Sequence, residues 1–525
     1  MLRIDPFAPA RRCTAPSTCS LRRAMSRHDL VARLVVDPAF VVGPLDRRVF
    51  GSFVEHMGRC VYTGIYEPEH PRADADGFRE DVLELVRELG VTAIRYPGGN
   101  FVSNYDWEDG VGPKDQRPRR LDLAWRAIEP NQFGTDEFVA WSRKADVQPI
   151  WAVNLGTRGI REAVDLLQYC NLPAGTALSD RRVANGSPQP HNIKIWCLGN
   201  EMDGPWQIGH KTAEEYARLA EETANAMRRV EPDLELVACG SSNAGMPTFG
   251  EWERVVLERT YDLVDHISLH AYYEPRDGDQ ASFLAAAEEM DRMISSVIAT
   301  ADHVKALKRS DKELTLSFDE WNVWYQQHFP GELGLGIREA GPLIEDSYTV
   351  DAAVVVGSLL ITLLRHADRV KIACLAQLVN VIAPIRTEPG GRAWRQTIFH
   401  PFALTARYAG PTVLQTAIAG GPEIDTAAFG KVPALWSTAT YDENTGETAI
   451  FVVNRSETDK IDLEIPVNGL QVAEHIALYD EDRSAVNTAD QPDRVTPRTV
   501  DGTEIVDGVC TATLPPASWH LIRLS

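Results

Sequence analysis

Two glutamates stand where they could break a glycosidic bond. Glu201 closes the apolar run IKIWCLGNE, and Glu320 lies near the end of a second run, ELTLSFDEWN. A pair of carboxyls across a cleft is the minimum that such chemistry requires: one protonates the leaving oxygen, and the other attacks the anomeric carbon or activates water. Their separation sets the outcome. Roughly 5–5.5 Å implies a covalent intermediate and retained configuration, whereas roughly 6.5–9.5 Å leaves room for water and implies inversion. A single glutamate after a strand is ordinarily a solvated loop carboxylate, but two of them, each among aromatic residues (Trp196 and Trp206; Trp321, Trp324 and Tyr325), favour a site.

Groups so far apart along the chain need a scaffold. From Phe50 to about Leu378 short apolar runs alternate with helix-period segments, the pattern of repeated βα units around a parallel sheet. There are eight such runs: 49–57, 91–98, 147–156, 193–201, 234–241, 266–273, 313–322 and 369–377. Val82, Leu85, Val86 and Leu89 recur at i, i+3, i+4 and i+7 and predict a helix packed on the sheet. Thr212, with Glu215 three positions on, signals the start of another, with Tyr216, Leu219 and Met227 along its apolar side. The predicted fold class is α/β, a closed (β/α)8 TIM barrel over 49–402, whose reactive groups lie at the carboxyl ends of its strands. Glu201 then ends the fourth strand and Glu320 the seventh, facing each other across one rim. After Ala403 the helical spacing stops, and Gly, Pro and Asp punctuate short strand-like runs, which predicts an all-β, jelly-roll-like sandwich over 403–525. Within it ALWSTATYDENTGETAIFVV reads as two strands turning at Asp442 to Gly446. Ala32 to Val36 also alternates like a strand, so segment 28–48 is expected to join that sandwich. Residues 1–27 are expected to be a disordered leader or an upstream start ahead of Met25.

The 525 residues carry 75 acidic and 53 basic side chains, a formal charge of −22, which argues against a nucleic-acid partner. The longest nearly uncharged apolar run, Ala352 to Leu364, stops at Arg365, short of the ~18 residues of a membrane span, so no membrane partner is expected. The first residues are Arg- and Ser-rich without the apolar stretch of a secretion signal. The cysteines are scattered, and Cys197 and Cys239 sit in strand-like runs as small hydrophobes. Both features point to the cytoplasm. No His or Cys cluster has metal-ligand spacing, and neither Gly98-Gly99 nor Asn200-Glu201 lies in a phosphate-cradling loop, so no metal, cofactor or nucleotide is expected.

The motifs GSFVEHMGRCVYTGIYEP, IRYPGGNFVSNYDWEDGVGP, WCLGNEMDGPWQ, SLHAYY, SFDEWNVWY and CLAQLVNVIAPI resemble the α-L-arabinofuranosidases of glycoside hydrolase family 51 from about Phe50 to Phe402, and the flanking β segments suit that family's C-terminal sandwich. The resemblance implies a retaining double displacement with Glu201 as acid/base and Glu320 as nucleophile. It further implies that Asn200 binds the sugar 2-hydroxyl, that Tyr272 stands beside the nucleophile, and that Glu55, Asn100 and Gln377 hold the sugar hydroxyls. Arg95, ending strand two, is the candidate for keeping Glu320 ionised, its other reading being a rim salt bridge. With Glu320 charged, the neighbouring Glu201 is the carboxyl that retains a proton for the first step. Strand parity puts His270 on the face of Tyr272, where it reads as a structural histidine, and turns Asp319 away from the face of Glu320. Trp125, Trp206 and Trp324 read as core or as platforms for sugar. The expected activity is release of terminal non-reducing α-L-arabinofuranosyl groups from arabinan- or arabinoxylan-derived oligosaccharides by a homo-oligomer, with a hexamer as the family's form. Alternatives are an endo-glucanase or xylosidase on the same barrel, or a non-catalytic carbohydrate-binding protein, which the presence of both glutamates argues against.

Overall fold

The structure, a computed structural model, describes residues 30–467 and 469–525. The expected leader lies outside them. Eight parallel strands close into a barrel: β1 (Gly51–Phe53), β2 (Ala93–Tyr96), β3 (Gln148–Ala152), β4 (Ile195–Leu198), β5 (Glu235–Ala238), β6 (His266–Tyr273), β7 (Thr315–Val323) and β8 (Val370–Leu375). Seven of the eight apolar runs contain one of them, and the seventh strand passes the end of its run, 313–322, by one residue. Ring closure leaves no edge, because β8 pairs with β1 as well as with β7. Strands such as AIRY in β2 and IWCL in β4 are buried at every residue, as expected where side chains fill the barrel on one face and meet helices on the other.

Among the helices, α1 (Glu80–Leu89) buries Val82, Leu85, Val86 and Leu89, the four residues whose spacing announced it. The second, α2 (Ala213–Val230), starts at the expected cap: Thr212 Oγ1 accepts from the Glu215 N–H at 3.3 Å, while Glu215 Oε2 accepts from the Thr212 N–H at 3.0 Å. The apolar run that stops short of a membrane span is a third helix, α3 (Val350–Arg365), buried at every position from Val350 to Leu364. It is apolar all round because it packs on β7 and β8 of the barrel and on strands of the C-terminal sheet. No helix among the described residues is long and apolar enough to cross a membrane.

The C-terminal region is a ten-stranded sheet that encloses a second core, including Leu34, Leu414, Ile450, Val452 and Leu463. The strand Val31–Pro44 lies inside this sheet, antiparallel to Thr412–Gly420 and parallel to Ile461–Pro466. Leu435–Tyr441 and Thr448–Asn454 form the expected hairpin, closed by the Gly446 N–H donating to the Asp442 carbonyl at 2.8 Å. The chain stays helical over Phe399–Tyr408, past Ala403, and the sheet begins at Thr412. Phe402, Thr405 and Ala406 are buried along this helix, and Pro401 in its first turn reads in the sequence as a breaker.

Candidate active site

Glu201 is lifted off the end of β4 by a sharp turn. Gly199 adopts φ 95°, which costs glycine little, and Glu201 itself sits at φ 44°, a left-handed conformation that a glutamate takes only when its surroundings hold it there. The hold is visible. Trp206 Nε1 donates to Glu201 Oε2 at 2.6 Å, and His270 Nδ1 lies 2.9 Å from Oε1. Glu320, on β7, is directly paired with His270 of β6. Arg95 Nη1 donates to its Oε1 at 2.8 Å and the Tyr272 hydroxyl donates to its Oε2 at 2.7 Å. Glu201, His270 and Glu320 each bring one donor atom within 4.8 Å of the others.

The two carboxyls share a site but not an environment. Arg95 is buried, and although burial opposes its charge, Asp319 and Glu320 outweigh that and hold the guanidinium protonated. Burial and the charge of Glu320 keep the Tyr272 phenol un-ionised, hence a donor. Burial also works against an imidazolium at His270, but the charge of Glu320 and the bond to Glu201 prevail and raise its pKa above the ordinary value. Among the described residues, Glu201, His270 and Glu320 form the one cluster whose ligand atoms converge as a metal would require. Arg95 already presents a fixed positive charge there, and Arg95, Tyr272 and Trp206 each donate to one of the carboxylate oxygens.

A third carboxyl completes the hollow. Glu55 follows β1 and takes three donors: the Phe101 N–H at 2.9 Å and Trp125 Nε1 at 2.8 Å on Oε1, and Gln377 Nε2 at 3.1 Å on Oε2. Burial pushes its pKa up to about 8. The glycine pair makes room for it, since a Cβ on Gly99 would stand 2.7 Å from Glu55 Oε2 and one on Gly98 3.0 Å from its Cγ. Asn200 Oδ1 accepts from Arg95 Nη2 at 2.6 Å, and its Nδ2 lies 3.4 Å from both Asn100 Oδ1 and Gln207 Oε1. The structure therefore gathers Glu201, Glu320, Glu55, Asn100, Asn200, Tyr272 and Gln377, together with Arg95, at one end of the barrel.

Two expectations change. Asp319 does not point away from the site: its Oδ2 lies 3.6 Å from Arg95 Nε, and its Oδ1 accepts from the Ser317 hydroxyl. A bulge causes this, because Ser317 pairs with Ser268 and Glu320 with His270, three residues of β7 against two of β6, which breaks the alternation that parity assumes. His270 bonds to Glu201 and so belongs to the site as well as to the structure. Trp125 and Trp206 act through their indole N–H groups, a role for which the sequence carries no signal beyond the nearness of Trp206 to Glu201. Trp324 alone stays free of such a bond, edge-on to Tyr272 with ring centroids 5.2 Å apart.

A closed eight-stranded barrel with a glutamate delivered to one rim by its fourth strand and another by its seventh is the layout of a barrel glycoside hydrolase. Comparison with known proteins narrows this. The family model described as Alpha-L-arabinofuranosidase 1 domain matches residues 85–293, and that described as Alpha-L-arabinofuranosidase C-terminal domain matches residues 319–518. The chain is 59% identical over 498 residues to an intracellular exo-α-(1→5)-L-arabinofuranosidase of Streptomyces lividans, covering 94% of this chain and 75% of that one. It is 53% identical to an exo-α-(1→6)-L-arabinofuranosidase of Bifidobacterium longum, covering 94% and 97%. The solved structure of a family 51 α-L-arabinofuranosidase from Bifidobacterium longum is similar with a TM-score of 0.90 and 48% identity, over 94% of this chain and 99% of that one. The chain belongs to the α-L-arabinofuranosidases of glycoside hydrolase family 51.

Proposed function

We propose that the protein is a retaining exo-glycosidase that releases terminal non-reducing α-L-arabinofuranosyl residues from arabinan- or arabinoxylan-derived oligosaccharides. The observation that carries this reading is the pair Glu201 and Glu320, one oxygen of each lying within 4.8 Å of one of the other's. So close an approach supports the pairing of a retaining enzyme, in which one carboxylate attacks the anomeric carbon, over the wider pairing of an inverting one. Arg95 and Tyr272 supply Glu320 with a cation and a neutral donor, which suits a carboxylate nucleophile. Glu201, held by Trp206 and His270, protonates the leaving oxygen as Glu320 forms the glycosyl–enzyme bond. With its proton gone, Glu201 then takes one from water, which attacks the same carbon and releases the sugar with its configuration retained. Asn200, Asn100, Glu55 and Gln377 are the groups available to the sugar hydroxyls. Relatives named for both α-(1→5) and α-(1→6) linkages support arabinofuranosyl as the released unit while differing on what it is released from.

Mass spectrometry after exposure to a fluorinated arabinofuranoside, together with turnover of nitrophenyl α-L-arabinofuranoside against cellulose derivatives, tests the proposal. A covalent adduct on Glu320 and selective cleavage of the arabinofuranoside are expected; faster turnover of the cellulose derivatives, or no adduct, would overturn it. Glu201→Ala should still form the intermediate from substrates with good leaving groups and accept azide in place of water, whereas equal loss on good and poor leaving groups would count against the acid role. A cytoplasmic location is supported by the name intracellular carried by relatives. A homo-hexamer is the proposed assembly, with Val35, Phe40 and Val41 exposed on the N-terminal strand as apolar surface to cover. Light scattering on the purified protein checks it.

A further inference from the structure

Asp122 is 3% exposed, and what satisfies its carboxylate is backbone: Oδ1 accepts from the Ala124 N–H at 3.0 Å and Oδ2 from the Trp125 N–H at 2.9 Å. Burial lifts its pKa to about 7, against the pull of those two bonds. A buried carboxyl with no salt bridge among the described residues is costly to a fold, and here it secures a single turn. Its own N–H donates to the Ala127 carbonyl at 2.8 Å, and Arg126 bends back at φ 52°, so that residues 122–127 reverse between the paired strands Arg120–Leu121 and Ile128–Glu129. An Asp side chain that binds backbone N–H groups two and three residues ahead fixes such a reversal. Trp125 sits on this staple, and its indole N–H is the one that reaches Glu55 Oε1 at 2.8 Å.

We propose that Asp122 is a positioning residue for substrate binding: by fixing the turn beneath Trp125 it aims the indole N–H at Glu55 and so sets the carboxyl that holds the sugar. The inference rests on the reading of Glu55 as a sugar-holding group. Asp122 touches no substrate; it acts through Trp125. Loosening Glu55 weakens a grip felt in the ground state and the transition state alike, so KM should change more than kcat.

The test is a double-mutant cycle on nitrophenyl α-L-arabinofuranoside with Asp122→Ala, Trp125→Phe and both together. Each single variant is expected to raise KM about tenfold with kcat reduced less than about threefold. The double variant should bind no more than about twofold worse than Trp125→Phe alone, because residues acting on one path do not add. Asp122→Asn keeps one N–H acceptor and should recover KM to within about threefold of wild type. Additive losses in the double variant, or a loss confined to kcat, would overturn the proposal. Should Asp122→Ala not fold, Asp122→Ser, whose short hydroxyl reaches one N–H at most, carries the same cycle. A wild-type protein inactive on the arabinofuranoside would instead strike the functional reading, so the two failures are separable.

Discussion

Glu201 and Glu320 are one chemical group made into two by what touches them. Tyr272 is the most direct instrument of that difference, and Tyr272→Phe keeps the ring against Trp324 while removing the O–H that reaches Glu320. Hydrogen bonds to charged groups contribute about 1.5–3 kcal/mol, so kcat/KM is expected to fall roughly ten- to hundredfold, measured by steady-state kinetics. Glu55 offers a test through stability. Burial raises its pKa to about 8, above the carboxylate range of an unfolded chain. Between that range and pH 8 the folded state therefore binds more protons than the unfolded one, and stability falls as pH rises through this window. Glu55→Gln does not titrate; its thermal midpoint relative to wild type should be higher at pH 8 than at pH 5, as thermal unfolding at the two values will show. The two glutamates at strand ends were legible as chemistry in the sequence because the apolar runs before them mark where strands stop. The indole donors Trp125 and Trp206 were not, since a tryptophan's N–H has no sequence signature and its burial is ordinary.

Period and cap made the elements readable. α1 and α2 follow directly from spacing and from the Thr212–Glu215 pair, and the eight apolar runs hold the eight barrel strands. The bulge in β7 was not readable, for one extra residue in a strand leaves the hydrophobic run intact while reversing the side-chain alternation beyond it. Its effect is to let Asp319 and Glu320, neighbours in sequence, both address Arg95. α3 carries a different constraint. A Cβ on Gly357 would stand 2.2 Å from Trp519 Cδ1, an atom of a buried, rigid ring in the C-terminal sheet. Gly357→Ala, ordinarily favourable within a helix, is expected instead to destabilise the protein by about 1–3 kcal/mol through overpacking, measured as a lower midpoint in chemical denaturation.

Barrel and sheet meet over α3 and are held by polar contacts, one of them buried, as well as by packing. Arg455, from the sheet, is fully buried and donates to Glu288 of the helix Ala287–Lys308 at 3.1 Å, while Arg483 donates to Asp351 of α3 at 2.7 Å. Burial lowers the Arg455 pKa to about 10, so the guanidinium remains charged at neutral pH and requires its partner. Glu288→Ala strands that charge and is expected to cost about 3 kcal/mol, seen as a lower denaturation midpoint, with catalysis by the folded fraction unaffected. Contacts of this kind join segments far apart in the chain and lie beyond what periodicity can reveal, whereas the strand at Ala32–Val36 gave itself away by alternating where the barrel had no place for it.

Because Val31–Pro44 lies between strands that begin at Thr412 and Ile461, its neighbours leave the ribosome long after it does. The barrel strands, complete by Leu375, have their full ring of partners well before then. Domains as a rule take shape in the order of synthesis. Here the first strand to emerge among the described residues is seated late, a clasp that must wait for partners made long after it.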